Sequence, residues 1–509
     1  MARRRHRERR PQRGDAEIAQ LPWRRLVNPY RPIEVLDEVA IERIHLASLD
    51  VLENLGIEIL SERALDVLAT AGAEVDRASG RVRFDRALVM ESVAKAPGEF
   101  TLHARNPERD VVLGGNHINF CPVGSPPNVT DLDRGRRPGN FADFCDLLRL
   151  GQSLNVLHFF GGYPVEPVDL PTATRHLDCY HAFITLTDRV WHPYALSRER
   201  IEDGIEMICI ARGIDRARLA REPGLITVVN TNSPLRLDGP MADGLMAMAE
   251  AGQAVVVTPF TLSGAMSPVT LAGALTQQNG EALAGIALTQ IVNPGAPAIY
   301  GGFTSNVDMK TGAPAFGTPE YTRAALAGGQ LARRYGLPYR SSNANAANLV
   351  DAQAAYESQM SLWGAVMGHA NMVLHAAGWL EGGLTASFEK MVIDADMLQM
   401  MAEFLRPIEV NDETIAIEAM RDVGPGGHFF GTAHTLARYE GAFYAPMISD
   451  WRNFETWSED GALTATQRAN TLWKRLLADY QPPPIDPGID EALKAYVARR
   501  KEQVATKAA

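Results

Sequence analysis

Two side chains at the ends of successive hydrophobic runs are suited to hold a carboxylate: Arg340 in LPYRSSNAN (337–345) and His375 in NMVLHAAGWL (371–380). A guanidinium grips such an anion with two parallel N–H donors, and an imidazole adds one directed hydrogen bond. The competing readings are an ordinary rim ion pair for Arg340 and a satisfied core histidine for His375. Asn343 and Asn345 place amides on the same stretch, although Asn is also a common turn residue. Around this pair the aromatic residues cluster. Phe120, Phe159, Phe160, Tyr163, Trp191, Tyr194, Phe260, Tyr300, Phe303, Tyr339 and Trp379 all lie in or beside eight such runs, although the chain has only 37 aromatic residues. Any one of them fits ordinary packing. Together they suggest a ring of π-faces, which attracts a methylated ammonium that has no hydrogen-bond donors.

Other chemistries fit less well. Cys121, His158 and His192 fall on the first three runs and are the candidate ligands for zinc, but no HxH or HExxH spacing accompanies them. The glycine pattern DVGPGGHF (422–429) resembles a nucleotide-type loop, yet the residues before it, Glu413 to Met420, read as helix where such a loop needs a strand. No Walker motif and no GxSxG is present. No metal site is therefore expected.

The elements that must position these residues alternate. The eight runs span 118–124, 156–164, 189–196, 225–234, 254–260, 298–306, 337–345 and 371–380, with helical patterns in the gaps, for example from Asn140, Ser197 and Thr318-Pro319. Strands separated by helices pair in parallel, and eight units is the number that closes a (β/α)8 TIM barrel, an open doubly wound sheet being the alternative. In a barrel the site lies at the carboxyl ends of the strands, where Arg340 and His375 fall. The expected organisation is a disordered basic arm over 1–20, an N-terminal α+β extension over 21–117, the barrel over 118–395, C-terminal helices completing the same unit over 396–480, and a linker with a tail over 481–509.

Composition narrows the class. With 509 residues, 46% of them hydrophobic, the chain can bury a large core. No apolar stretch is long enough for a membrane span and no signal peptide is apparent, so the reading is a cytoplasmic protein with no membrane contact. The first thirteen residues hold seven Arg and one Glu, +6 within a total of −11, so the remainder carries −17. Without aromatic interleaving, that basic arm argues for a solvated segment and against nucleic-acid binding. The four cysteines lie more than twenty residues apart, in keeping with a reducing compartment.

GWLEGGLTASFEKMVID (378–394), VDAQAAYES (350–358) and GPGGHFFGTAHTL (424–436) together resemble the trimethylamine methyltransferase family, a likeness extending from about Leu21 to Tyr480. Members resemble (β/α)8 barrels that pass a methyl group from a methylated amine to the cobalt of a corrinoid carried on a separate protein. Archaeal members carry pyrrolysine near the seventh strand. Residues 340–348 here are all standard, which is similar to the branch lacking pyrrolysine and puts trimethylamine itself in doubt. That branch implies a quaternary amine, with glycine betaine the best-known example and carnitine and proline betaine others. The resemblance implies that Arg340 and His375 bind the betaine carboxylate. It also implies cobalamin supplied by a corrinoid protein partner, since no DxHxxG element is present, while homo-oligomer formation stays open.

On this reading Phe159, Trp191, Tyr300, Phe303 and Trp379 join Arg340 and His375 in substrate binding. Glu381, Asn343 and Asn345 are the candidates for a catalytic role, with Glu381 supplying long-range charge or a hydrogen bond to Arg340 or, alternatively, a loop-ordering salt bridge with Lys390. Gly382 and Gly383 let the backbone approach substrate or corrinoid, and the loops 378–387 and 424–432 form a docking face. The alternatives are a metal-dependent barrel lyase or hydrolase and a methylated-amine binding protein without turnover.

Overall fold

A computed structural model describes residues 18–508; residues 1–17 of the expected basic arm lie outside the described residues. The chain folds into a curled, mainly parallel sheet surrounded by helices. Its labelled elements are β1 (His117–Pro122), α1 (Phe141–Ser153), α2 (Arg175–Leu186), α3 (Arg198–Arg212), β2 (Ile226–Thr231), α4 (Gly239–Glu250), β3 (Ala254–Ser263), α5 (Leu271–Val292), β4 (Ala298–Gly301), α6 (Pro319–Arg334), β5 (Tyr339–Ser342), α7 (Ala352–Met367), β6 (Met372–Ala377) and α8 (Phe388–Phe404). The parallel order is β2-β3-β4-β5-β6-β1, so the first strand in sequence pairs with the last. Short polar side chains start the helices. Asn140, Ser197, Asp238, Thr270, Thr318 and Ser387 each accept the backbone N–H three residues on, satisfying a donor that the first turn leaves unpaired.

Two of the eight expected strands are not regular strands. Residues 156–164 and 189–196 carry isolated contacts: His158 N–H donates to Phe120 O at 2.8 Å, Phe160 N–H to Val190 O at 3.0 Å, and Trp191 bridges Leu225. The cause is local. Phe120 N–H is taken by the His158 ring at 3.0 Å, Pro193 has no N–H, and Gly161-Gly162 gives up the extended side-chain packing that favours strands.

Alternation divides the core. The inward residues Cys121, Phe159, Val190, Ile226, Val256, Ile299, Met372 and Leu374 form one buried cluster, with Leu102, Val111 and Leu113 of an antiparallel hairpin packed against it. Their sequence neighbours point the other way into the larger cluster under the helices, which holds Trp191, Val255, Tyr300 and Val373. No helix among the described residues is long and apolar enough to cross a membrane.

The C-terminal helices brace this unit. Trp473 donates to Glu389 of α8 at 2.9 Å, and Asp396 of the same helix receives the backbone N–H groups of Met447 and Ile448. The segment expected as linker and tail contains a 22-residue helix, Pro487–Ala508. It is held because Leu493 and Tyr496 are buried and Tyr496 and Arg500 both donate to Asp203 of α3, at 2.7 and 2.6 Å.

Candidate functional site

At the carboxyl ends of the strands lies a cavity of ≈ 390 Å³. Arg340 and His375 both line it, as do Phe260, Phe303, Trp379 and Tyr194. Arg340 stands on β5, is 3% exposed, and faces no carboxylate within ion-pair distance among the described residues. Its polar contact among the described residues is a long one, Nη1 to Gly302 O at 3.5 Å, and its guanidinium sits 5.2 Å over the Phe303 ring. Burial pushes its pKa down to about 10, so it stays charged at neutral pH. A buried cation without a counter-charge is costly, and an anionic ligand would relieve that cost.

His375 is presented by an irregularity in β6. Register with β1 shifts between Val373 and Ala377, and His375 takes φ 56°, a conformation side chains other than glycine rarely adopt. Gly124 N–H donates to its Nδ1 at 3.1 Å, which assigns the ring proton to Nε2. Burial, reinforced by Arg340, holds the imidazole pKa well below its usual value. The ring is therefore neutral and its Nε2–H is left to donate.

Aromatic faces complete the wall. Phe260 and Phe303 stack at 5.2 Å, Phe303 lies 6.1 Å from Trp379, and Trp379 lies 4.1 Å from His375. Trp379 is fixed at both ends: Nε1 donates to Asn345 O at 3.0 Å, and Asn345 Nδ2 returns a bond to Trp379 O at 2.9 Å. Gly383 passes under the indole so closely that a Cβ there would come within 2.6 Å of it. Gly382 and Gly383, both at positive φ, also line the cavity. On another part of the wall Tyr194 hydroxyl bonds Ser125, and burial raises the Glu166 pKa.

Several expected residues lie elsewhere. Phe159 points inward but sits in the buried interior cluster and does not line the cavity. Trp191 and Tyr300 face outward. Trp191 stacks on Phe183 of α2 at 5.8 Å, while Tyr300 donates to Asn279 of α5 at 3.0 Å. The period of two decides this: Val190 and Ile299 point in, so the next residue points out. Glu381 bonds neither Arg340 nor Lys390. It pairs with Arg136 at 2.9 Å, because Lys390 is buried against Asp394 and Ser358. Asn343 donates to Ala376 O at 3.0 Å and, like Asn345, braces backbone away from the cavity lining.

The proposed zinc ligands do not converge. His158 spends both ring nitrogens on backbone, Phe120 N–H and Arg24 O, and no group of three potential ligands occurs among the described residues. Sequence reasoning placed Phe260 and Tyr194 in the general aromatic ring without singling them out for substrate binding, and it missed Thr258 and Asn230, although all four line the cavity. For Thr258, parity with inward Val256 on the same strand was the available signal.

The family profile described as trimethylamine methyltransferase matches residues 2–505. Glycine betaine methyltransferase of Desulfitobacterium hafniense is 39% identical over 425 residues, covering 83% of this chain and 88% of that protein. A trimethylamine methyltransferase of the same species is 29% identical over 440 residues, 85% of this chain and 86% of that protein. Among solved structures, the monomethylamine methyltransferase of Methanosarcina barkeri aligns with a TM-score of 0.50 at 10% identity, over 89% of this chain and 90% of that one, a likeness of fold.

Proposed function

This chain belongs to the trimethylamine methyltransferase family, and we propose that, as a methyltransferase of methylated amines, it takes a methyl group from a quaternary amine bearing a carboxylate, with glycine betaine as the donor the site fits best. The acceptor is the cobalt of a corrinoid carried by a separate protein. The observation that carries the donor class is Arg340: a charged guanidinium with no carboxylate partner among the described residues, in a cavity whose other wall is aromatic. Trimethylamine has no anion to meet it. A betaine has a carboxylate for Arg340 and the Nε2–H of His375, and a methylated cation for Phe260, Phe303 and Trp379.

The fold reading that goes with this is a (β/α)8 barrel closed through residues 156–164 and 189–196. The bonds His158–Phe120 and Phe160–Val190 and the Trp191–Leu225 bridge support it, as does the inward cluster drawn from seven of the eight runs. We read residues 21–117 as an extension of that barrel, 396–480 as helices completing it, and the protein as cytoplasmic.

The chemistry asks the protein mainly for position. In the displacement, the N–CH₃ bond breaks as the methyl carbon bonds the reduced metal, and the amine leaves neutral with the bonding pair on nitrogen. No acid is needed to protonate it. The clamp fixes one end of the donor and the aromatic faces turn a methyl outward, which lowers the entropic part of the barrier. The cation loses its charge in the transition state, so a cage of modest strength serves better than a tight one. Glu381, Asn343 and Asn345 act by positioning: the two asparagines brace the Trp379 loop, and Glu381 with Arg136 orders its rim. Loops 378–387 and 424–432, the latter with Phe430 84% exposed, form the face for the corrinoid protein.

The test is a panel of glycine betaine, carnitine, proline betaine and trimethylamine incubated with enzyme and reduced cobalamin, followed by the cobalt spectrum. Methylcobalamin and dimethylglycine should form from glycine betaine. Turnover of trimethylamine alone would overturn the reading.

A further inference from the structure

Thr258, Ser263, Ser341 and Ser342 carry buried hydroxyls on the strands without a partner among the described residues, and of these Thr258 lines the cavity. Thr227 donates to Pro193 O at 2.7 Å, and Thr304 bonds Thr261 and Gln278 at 2.9 and 2.7 Å. Thr258, on the strand between them, is 1% exposed, lines the cavity, and its hydroxyl has no hydrogen-bond partner among the described residues. A buried hydroxyl is normally bonded, so one left open inside a binding cavity points to a missing acceptor.

Register shows where that acceptor would be. Val257 pairs with Tyr300 and Tyr300 with Tyr339, which puts Thr258, Gly301 and Arg340 on one level of three adjacent strands. Gly301 between them has no side chain, and the Thr258 hydroxyl fills the space: a Cβ on Gly301 would lie 2.0 Å from Thr258 Oγ1. The hydroxyl is thereby directed along the layer toward the strand that carries Arg340, whose Nε is also buried without a partner. Two unmet donors on one layer, one of them cationic, call for a negatively charged acceptor.

We propose that Thr258 is a third donor to the carboxylate of the substrate, on the same layer as Arg340, and that Gly301 keeps that layer open, since a Cβ there would strike the Thr258 hydroxyl and also the backbone at Val257 O and Thr258 Cα, at 2.6 and 2.8 Å. This rests on the betaine reading for the identity of the substrate, but the geometry calls only for a carboxylate. It adds a neutral, directional contact to the charge of Arg340 and the Nε2–H of His375. The layer thus distinguishes an anion by shape as well as by charge.

Calorimetric titration of the full chain with acetate, glycine betaine and choline tests it. T258V keeps the shape and loses the hydroxyl, T258S keeps the hydroxyl, and T258A serves if T258V does not fold. Loss of one hydrogen bond to a charged group should weaken acetate and glycine betaine about tenfold in T258V, with T258S within about twofold of wild type. G301A, whose Cβ also meets backbone at Val257 O and Thr258 Cα, should lose at least as much as T258V, and choline, having no carboxylate, should bind T258V, T258S and T258A as it binds wild type. Unchanged carboxylate binding in T258V and T258A would overturn the proposal, as would an equal loss for choline or a wild type that binds no carboxylate. Acetate binding that depends on Thr258, with no binding of glycine betaine to wild type, would uphold the role of Thr258 as a carboxylate donor and reject the betaine reading.

Discussion

Two buried arginines contrast a structural cation with the one we propose for carboxylate binding. Arg189 and Arg340 are 2% and 3% exposed, burial lowers both pKa values, to about 9 and about 10, and both leave Nε unpartnered. They differ at the terminal nitrogens. Arg189 donates to Gly151 O at 2.8 Å and Gln152 O at 2.9 Å, at the carboxyl end of α1 where the helix presents carbonyls and partial negative charge. Among the described residues Arg340 reaches only Gly302 O, at 3.5 Å, and it borders a cavity. Burial alone therefore does not mark a functional arginine. Burial with its partners missing, beside a cavity, is what supports the proposal for Arg340.

The largest expected effect separates the two directly. R340M should raise the KM for glycine betaine by about 100-fold, the scale of losing charge-assisted bonds in a dry site, with little change in melting temperature. R189M should do the reverse, destabilising the fold by about 3 kcal/mol because the α1 carbonyls lose their buried donors, with KM unchanged in the folded fraction. Parallel thermal melts and steady-state kinetics check both. Equal effects in the two assays would erase the distinction.

Acid should act next. His158 and His192 are held by burial at pKa values of about 4 and about 3, and His375 is also lowered, so each is neutral in the folded protein well below the usual histidine range. The unfolded chain takes up these protons first. Stability is complete above the unfolded pKa near 6.5 and falls as pH drops toward 4, which denaturant titrations at pH 7.5, 6 and 5 would follow. A midpoint that does not move across that range would contradict neutral burial. G383A should cost about 2 kcal/mol or displace Trp379, since it combines φ 99° with a contact at 2.6 Å, and indole fluorescence should shift with it. The smallest change belongs to E381Q. Arg136 is half exposed, so breaking that pair should alter stability by less than about 1 kcal/mol.

The same contrast explains what the sequence could reveal. Arg340 and His375 were legible as a pair because both close runs that end at the same rim, and helix starts such as Asn140 and Ser197 were legible because capping is local. Trp191 and Tyr300 were misplaced because composition does not report which way a strand faces; only the position of neighbours such as Val190 and Ile299 does. Glu381 was given the wrong partner because Arg136 is 245 residues away in the chain, while Lys390, nearby in sequence, is buried with Asp394 four residues on. The irregular run 156–164 depends on a side-chain bond, Phe120 N–H to the His158 ring, that hydrophobic patterning cannot register, and 189–196 is interrupted by Pro193.

The central claim is that the uncompensated charge of Arg340 is met by a ligand carboxylate while aromatic faces hold the ligand's methylated end. A crystal structure with glycine betaine tests it most directly. The carboxylate should lie against Arg340 and the Nε2 of His375, with the trimethylammonium group among Phe260, Phe303 and Trp379. A bound betaine turned the other way, or seated outside this cavity, would contradict it.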